Sequence, residues 1–407
     1  MSKVATRFAP SPTGALHIGG VRTALFNWLY SKNQKGNFYL RIEDTDQNRY
    51  VEGSENYLIK ALNWCGIEPD EGPNTEGSFG PYRQSERKSM YRQYADRLVE
   101  TGWGYYAFDS SEALTEQRKK YEAEKKSFIY NHETRTQMCN SLHLPAEDVK
   151  RRLAAGEPYV IRFKMPVESL VLQDEIRGTI TINTGLLDDK ILFKSDGMPT
   201  YHLANIVDDH TMEITHVIRG ADHQANSVLQ MALYDALGAP RPVMAHVPLI
   251  VDDAGKKLSK RRNNVSVQQF REEGYLYEAL DNWIVRLGWS QGDTEIFSLE
   301  EIGHSFTLDG VGRSPARADI AKLDWLNQHY IKALSSDDLF ARVRPHLERV
   351  AGGPVEDSPS LRKLLDLLRE RSSTLVEMAE LARWQLHDEL EYDEKAVKKH
   401  LRPVAQP

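Results

Sequence analysis

The sequence predicts an α/β fold on a mostly parallel sheet, interrupted by an α+β insertion and followed by helical regions. Three observations carry this. Over the first hundred residues short apolar runs alternate with amphipathic helical repeats, the pattern of parallel strands joined by helices. Near residue 105 the composition turns to a densely charged helix and then a group of short strands. Beyond residue 265 only helical periodicities remain.

The first strand is the apolar run at residues 4–9. A turn rich in Pro, Ser and Gly follows. Val21, Ala24, Leu25, Trp28 and Leu29 then recur at i, i+3, i+4, i+7 and i+8, one face of a helix. Gly36-Asn37 leads into a second strand, where Phe38, Leu40 and Ile42 alternate before Glu43-Asp44-Thr45-Asp46. Leu58, Ala61, Leu62 and Cys65 mark a helix stopped by Gly66. Ser85 is read as the N-cap of a helix with face Tyr91, Tyr94, Ala95 and Leu98, and Gly102 lies past its end.

Residues 112–126 are rich in Glu, Lys and Arg and read as an exposed helix. Residues 160–163, 170–172 and 179–182 read as strands of an inserted unit. Residues 191–194, a turn at Ser195-Asp196-Gly197, and 198–201 read as a strand, a turn and a return to the main sheet. A strand at 213–218, a helix with face Leu229, Ala232, Leu233 and Ala236, and an apolar run at 246–251 complete the second half. Helical faces follow at Leu280, Trp283, Ile284 and Leu287, at Leu361, Leu364, Leu365 and Leu368, and at Leu375, Met378 and Leu381.

Of the 407 residues, 40% are hydrophobic and 27% charged, values of a globular chain long enough for two to four domains. The net charge of -7 does not exclude a nucleic-acid partner, because a phosphate-binding surface needs only a local basic face. Two cysteines, Cys65 and Cys139, have no metal-binding spacing and suggest a reducing, cytoplasmic setting. Met1-Ser2-Lys3 runs directly into the first strand, with no signal peptide, and no apolar run is long enough for a membrane span.

Two stretches carry chemistry. The first, Arg7-Phe8-Ala9-Pro10-Ser11-Pro12-Thr13-Gly14-Ala15-Leu16-His17-Ile18-Gly19-Gly20, is a strand, a tight loop and a helix start. Free N–H groups and partial positive charge at a helix start bind phosphate, and glycine admits a nucleotide close to the backbone. The second is the basic loop Lys256-Lys257-Leu258-Ser259-Lys260-Arg261-Arg262. Taken alone, His17 reads equally as a helix cap, Glu43-Asp44 as capping groups and the basic run as a solvated loop.

Together the two stretches resemble the paired signatures of class I aminoacyl-tRNA synthetases, His17-Ile18-Gly19-Gly20 for the HIGH motif and Lys257-Leu258-Ser259-Lys260-Arg261 for the KMSKS motif. The wider stretches Leu40-Arg41-Ile42-Glu43-Asp44-Thr45-Asp46, Pro199-Thr200-Tyr201-His202-Leu203-Ala204-Asn205 and His216-Val217-Ile218-Arg219-Gly220 resemble the bacterial glutamyl branch. The resemblance runs to about residue 331 and implies a Rossmann-type catalytic domain in two halves, residues 1–104 and 191–240. It implies an inserted acceptor-end-binding domain at 105–190 and the KMSKS loop with a stem-contact region at 241–331. Residues 332–407 would be the first part of a helical anticodon-binding region. Members carry a second helical domain there, so the chain is expected to stop short of the family's length. Some members hold zinc in the insertion with Cys and His. Here the stretch is Tyr105-Tyr106-Ala107-Phe108-Asp109, so no zinc and no other protein-bound metal is expected.

The resemblance also implies site roles. ATP, with Mg²⁺, would contact Pro10, Ser11, Pro12, Thr13, Gly14, His17, Gly19, Gly20, Lys257, Leu258, Ser259, Lys260 and Arg261. Among these His17, Lys257 and Lys260 would be catalytic, donating to the phosphates as negative charge builds. L-glutamate would contact Arg7, Ala9, Ser11, Glu43, Tyr201, Asn205 and Arg219, all expected at strand ends or loops on one edge of the half-sheet. Arg7, Arg219, Tyr201 and Asn205 would take the side-chain carboxylate, and Glu43 with Ser11 the ammonium. Arg219 argues for glutamate over glutamine, because a neutral amide would leave a buried guanidinium unmatched. Lys150, Arg151, Arg152, Arg162 and Lys164 are candidate phosphate contacts. So are Arg342, Arg344, Arg362, Lys363, Arg369 and Arg371.

The expected activity is ATP-dependent ligation of glutamate to tRNA(Glu) by a cytoplasmic monomer. The alternatives are a paralogue that attaches glutamate to a modified tRNA base, a catalytically inactive RNA-binding relative, and a simple nucleotidyltransferase.

Overall fold

A computed structural model describes residues 3–75, 77–258 and 265–387, together with 395, 397 and 399. By its internal contacts the chain divides into two compact units, one of residues 1–258 and 284–318, the other of 259–283 and 319–407.

The first unit opens with β1 (Ala5–Phe8), α1 (Ile18–Asn33) and β2 (Asn37–Leu40). β1 and β2 pair in parallel, so α1 is a crossover helix. Val21, Leu25 and Leu29 of α1 are fully buried, the apolar stripe the sequence predicts. α2 (Ser54–Trp64) ends at Cys65 and is turned by Gly66 at φ +65°. α3 (Lys88–Glu100) begins later than expected. Ser85 lies in a 3₁₀ turn, and its N–H donates to Asp44 Oδ1 (2.8 Å), so the chain is tied to the end of β2 before the helix starts.

β3 (Gly104–Ala107), α4 (Ser111–Ala123), α5 (Ala146–Ala154), β4 (Val160–Phe163), β5 (Ser169–Asp174), β6 (Gly178–Asn183) and β7 (Ile191–Phe193) follow. β3, β4 and β7 form an antiparallel sheet. α4 buries none of its residues, as its charge density predicts. β5 and β6 form a hairpin, but β5 also joins the main sheet in parallel through Asp174 and Met244. Arg162 is buried, stacks on Tyr130 and donates to the Asp189 carbonyl (2.8 Å). It is therefore a packing residue here and not a surface phosphate contact.

After Gly197 turns the chain at φ +80°, α6 (Tyr201–Thr211) begins. The expected return strand through residue 201 is limited to one bridge between Phe193 and Pro199. β8 (His216–Gly220) starts three residues later than expected, because Glu213 sits at φ +53° in the turn that leaves α6. α7 (Gln224–Leu237), β9 (Val243–Val247) and β10 (Ile250–Val251) complete this half. β8 and β9 are parallel, and β1 lies beside β8 through Thr215 N–H to the Ala5 carbonyl (3.0 Å). A buried cluster including Tyr91, Leu98, Leu203, Val207, Leu233 and Met244 packs the helices onto this sheet.

α8 (Val267–Glu272), α9 (Tyr277–Arg286), α10 (Leu299–Ser305) and β11 (Ala316–Arg317) come next. α11 (Ile320–Ala333), α12 (Ser336–Ala351), α13 (Pro359–Leu368) and α14 (Leu375–Leu381) follow them. In the second unit Asn327 binds the Leu276 N–H through Oδ1 and the Ser373 carbonyl through Nδ2, tying three segments together. No described helix is long and apolar enough to cross a membrane.

Candidate active site

His17 is the N-cap of α1. Its Nδ1 accepts the Gly20 N–H at 3.2 Å. A neutral imidazole that accepts at Nδ1 carries its proton at Nε2, so the cap sets the tautomer in which Nε2 is a donor. The loop ahead of it is stitched to neighbouring segments. Glu43 N–H donates to the Pro10 carbonyl (3.0 Å), and Val51 N–H to the Pro12 carbonyl (3.0 Å). Ser11 and Thr13 are exposed, Ala9, Pro10, Gly14, Gly19 and Gly20 are partly buried, and Pro12 is buried. Gly14 sits at φ +123°, a conformation that side-chain-bearing residues avoid.

The basic loop begins as a hairpin. Leu258 N–H donates to the Ile250 carbonyl and Asp252 N–H to the Lys256 carbonyl, with Gly255 at φ +74°. Lys257 Nζ meets Asp222 Oδ2 at 2.7 Å, and Leu258 is partly buried. Asp222 stands just beyond β8, a position sequence reasoning did not single out. Ser259, Lys260 and Arg261 lie outside the described residues.

The expected glutamate-binding residues come from four elements. Arg7 lies within β1, Glu43 beyond β2 and Arg219 in β8. Tyr201 and Asn205, contrary to the expectation of a strand end or loop, are helical. They are one turn apart at the start of α6, and i, i+4 spacing puts both on one helix face. Arg7, Glu43 and Arg219 all lie close enough to Tyr201 and to His223 to act on their charge states. Ala9 and Ser11 belong to the loop that Glu43 binds through Pro10.

Around these residues is a buried charge network. Arg7 Nε and Nη2 grip the Asp209 carboxylate at 3.1–3.3 Å. Arg41, fully buried, bonds Asp209 at 2.7 Å and Glu43 at 3.0 Å. Asp208 lies between Arg87 (2.8 Å) and Arg41 (3.6 Å). Three guanidinium groups therefore face three carboxylates. Burial opposes ionisation of Asp209, but the Arg7 and Arg41 charges outweigh it and hold the carboxyl below its usual range.

Arg219 stands outside that balance. It is 5% exposed and, among the described residues, has no carboxylate within ion-pair distance. Nε donates to His246 Nε2 (3.0 Å), Nη2 to Ser227 Oγ (2.8 Å) and Gln230 Oε1 (2.6 Å), and Nη1 to Tyr201 Oη (3.4 Å). Burial pushes its pKa below the usual arginine value. Beside it Glu43 accepts from Asn205 Nδ2 (2.8 Å), and Gln230 Nε2 donates to Asn205 Oδ1 (3.2 Å). The site thus offers a fixed cation with neutral neighbours at one end and an acidic group at the other. That is the charge pattern of a ligand with a terminal carboxylate and an ammonium.

Sequence reasoning missed Arg41, Asp209, Ser227, Gln230 and His246. Gln230 was hidden in a helix read by its apolar face, and Asp208-Asp209 in a strongly buried helix. A polar residue at an otherwise core position was the available signal.

The profile of the class I tRNA synthetase (E and Q) catalytic domain matches residues 3–325, and that of an anticodon binding domain matches 338–407. The glutamate–tRNA ligase of Flavobacterium johnsoniae is 48% identical over 98% of this chain and 83% of its own length. That of Christiangramia forsetii is 52% identical over 86% of this chain and 73% of its own. The crystal structure of a glutamate tRNA ligase from Elizabethkingia meningosepticum, in complex with its amino acid, superposes with a TM-score of 0.91. It is 44% identical and covers 99% of this chain and 84% of the other. The Elizabethkingia anophelis glutamate-tRNA synthetase superposes with a TM-score of 0.89 at 44% identity, covering 98% and 84%. A catalytic domain matched from residue 3 to residue 325, and relatives matched across nearly the whole chain, establish that this chain belongs to the glutamate–tRNA ligase family of class I aminoacyl-tRNA synthetases.

Proposed function

We propose that the chain ligates L-glutamate to tRNA(Glu) through a glutamyl-adenylate, with the residues above in the following roles. The observation that carries the glutamate assignment is Arg219, a buried guanidinium held by neutral groups and, among the described residues, with no carboxylate at ion-pair distance. A buried cation in that state binds a ligand carboxylate without displacing an existing ion pair. Arg7 contributes charge from behind its Asp209 pair, Tyr201 and Asn205 line the same place, and Glu43 with Ser11 receives the ammonium.

In the first step the glutamate α-carboxylate attacks the α-phosphorus of ATP, the bond to pyrophosphate breaks, and the mixed anhydride forms. In the second a hydroxyl of the terminal tRNA ribose attacks the anhydride carbonyl and AMP leaves. The protein's part is positioning and stabilisation of negative charge. His17 Nε2–H meets the α-phosphate, the loop at residues 10–14 and Gly19-Gly20 border the nucleotide, and Lys257, Ser259, Lys260 and Arg261 follow the triphosphate. Leu258 anchors that loop. Mg²⁺ enters with ATP as part of the substrate.

We assign residues 105–190 to the tRNA acceptor end, 241–331 to the stem and 332–407 to the anticodon arm. We place the reaction in the cytoplasm, with the chain acting as a monomer. The sparing use of cysteine, Cys65 and Cys139 in 407 residues, is in keeping with a reducing compartment. The match of residues 338–407 to an anticodon-binding domain speaks against the base-modifying paralogue.

The test is pyrophosphate exchange with ATP and glutamate, with and without tRNA(Glu). Intact protein should exchange with glutamate and not glutamine. Lys260→Ala should lower exchange by about 100-fold, the typical effect of losing one transition-state donor. Arg219→Gln should lower kcat/KM for glutamate by about 100-fold and erase the preference over glutamine. Full glutamate preference in Arg219→Gln would refute the assignment of that residue.

A further inference from the structure

Arg219 rests on a pair of side chains that none of the roles above uses. His246, in β9, is fully buried. Its Nε2 faces Arg219 Nε at 3.0 Å and Ser227 Oγ at 3.1 Å. Its Nδ1 lies 2.5 Å from Asp174 Oδ2. Asp174, at the end of β5, is 4% exposed and anchored in turn. Oδ1 accepts the N–H groups of Ile176 (3.0 Å) and Arg177 (2.7 Å), and both oxygens lie 3.2–3.3 Å from His246 N.

The proton positions follow from the partners. Arg219 Nε can only donate, so His246 Nε2 must accept. Asp174 can only accept when ionised, so the imidazole proton sits on Nδ1. His246 is therefore neutral, with Nε2 bare toward Arg219. Ser227 fits the same scheme, accepting from Arg219 Nη2 and donating to His246 Nε2. The charged groups facing the imidazole are Asp174, Arg219 and Arg177. Burial, opposed by Asp174, keeps the imidazole below its ordinary pKa, in line with the neutral form. The Asp174 charge thus reaches Arg219 only across a neutral ring, which orients the guanidinium without neutralising it as a direct carboxylate contact would.

We propose that Asp174 and His246 are positioning and specificity-determining residues. Asp174 sets the His246 tautomer, and His246 holds the Arg219 fork toward the ligand carboxylate while leaving its charge for that ligand. This rests on the reading of Arg219 as the receptor of the glutamate side-chain carboxylate. It gives β5, a strand of the residues expected to form the insertion, a part in amino-acid selection.

Asp174→Asn is the informative variant. Its amide oxygen must face the Ile176 and Arg177 N–H groups, so its NH₂ faces His246 Nδ1. The imidazole proton then moves to Nε2, against Arg219 Nε–H, two donors face to face. The expected result is a glutamate KM raised about tenfold or more, with the KM for ATP within twofold of wild type and kcat at saturating glutamate little changed. His246→Leu should do the same. His246→Gln, whose amide oxygen can accept from Arg219 Nε, should stay within about threefold of wild type.

Wild-type glutamate KM in both Asp174→Asn and His246→Leu would overturn the proposal, as would His246→Gln no better than His246→Leu. Should the variants fail to fold by circular dichroism, ¹⁵N NMR of the histidines in the intact wild-type protein decides. A His246 ring protonated at Nδ1 alone at pH 7–8 supports the proposal, and one protonated at Nε2 overturns it. Arg219→Gln measured alongside separates the two readings. If Arg219→Gln impairs glutamate binding and the dyad variants do not, only the dyad inference fails. If Arg219→Gln itself binds glutamate normally, the reading beneath it fails as well.

Discussion

At the scale of single residues, the site depends on which buried charges are already matched. Arg7, Arg41 and Arg87 are each paired with a carboxylate, whereas Arg219 is held by neutral groups. Residue identity shows none of this, because a buried arginine is either a structural partner or a receptor according to what lies across from it. A second residue-level constraint is Gly36, between α1 and β2. A Cβ there would overlap the Val4 carbonyl oxygen, which accepts the Asn37 N–H that starts β2. Backbone on both sides leaves little room to yield. Gly36→Ala should cost about 2–3 kcal/mol of stability, read as a lower urea midpoint with an unchanged slope.

At the scale of the element, α1 shows structure and chemistry sharing one side chain. His17 satisfies the Gly20 N–H and by the same bond presents Nε2–H as its donor. The two roles separate by substitution. His17→Ala should lose about 1 kcal/mol of stability with the cap. His17→Asn, which caps as well as any residue, should keep wild-type stability. Both should lower pyrophosphate exchange by about 100-fold, because neither places a ring N–H at the phosphate. Thermal melts against exchange rates check the split, and an active His17→Asn would restrict His17 to capping. Elements were also where sequence reading was most accurate. The apolar face of α1, the absence of buried residues in α4 and the Gly66 stop were legible because local periodicity and glycine conformation decide them. The starts of α3 and β8 were not. One is delayed by the Ser85–Asp44 bond, and the other by a left-handed turn at Glu213 that no side-chain pattern announces.

At the scale of the whole molecule, buried histidines set the response to acid. Burial lowers the pKa of His202, His216, His223 and His246 in the first unit and of His346 in the second, that of His202 to about 4. Below the ordinary histidine value of about 6.5 the unfolded chain binds protons that the folded chain refuses. The stability these groups allow is therefore complete above pH ~6.5 and is lost as pH falls toward their folded values. The urea midpoint should be flat above pH ~7.5 and drop between pH ~6.5 and 4. A flat midpoint through that window would mean that these imidazoles titrate alike in both states.

The sequence by itself determined the α/β class, the helical second part and the two loop signatures, and of the side chains bonded to Arg219 it singled out Tyr201 alone. Each is written in local spacing or in a short motif, where neighbours in the chain decide the physics. Only the tertiary structure decided that Tyr201 and Asn205 share a helix face, that Arg7 is tied to Asp209 and that Arg219 is held by neutral side chains. The same holds for the support of Arg219 by His246, 27 residues away, and of His246 by Asp174, 72 residues away. Charge pairing and tautomer selection depend on distances of about 3 Å across the fold, and no local pattern encodes those.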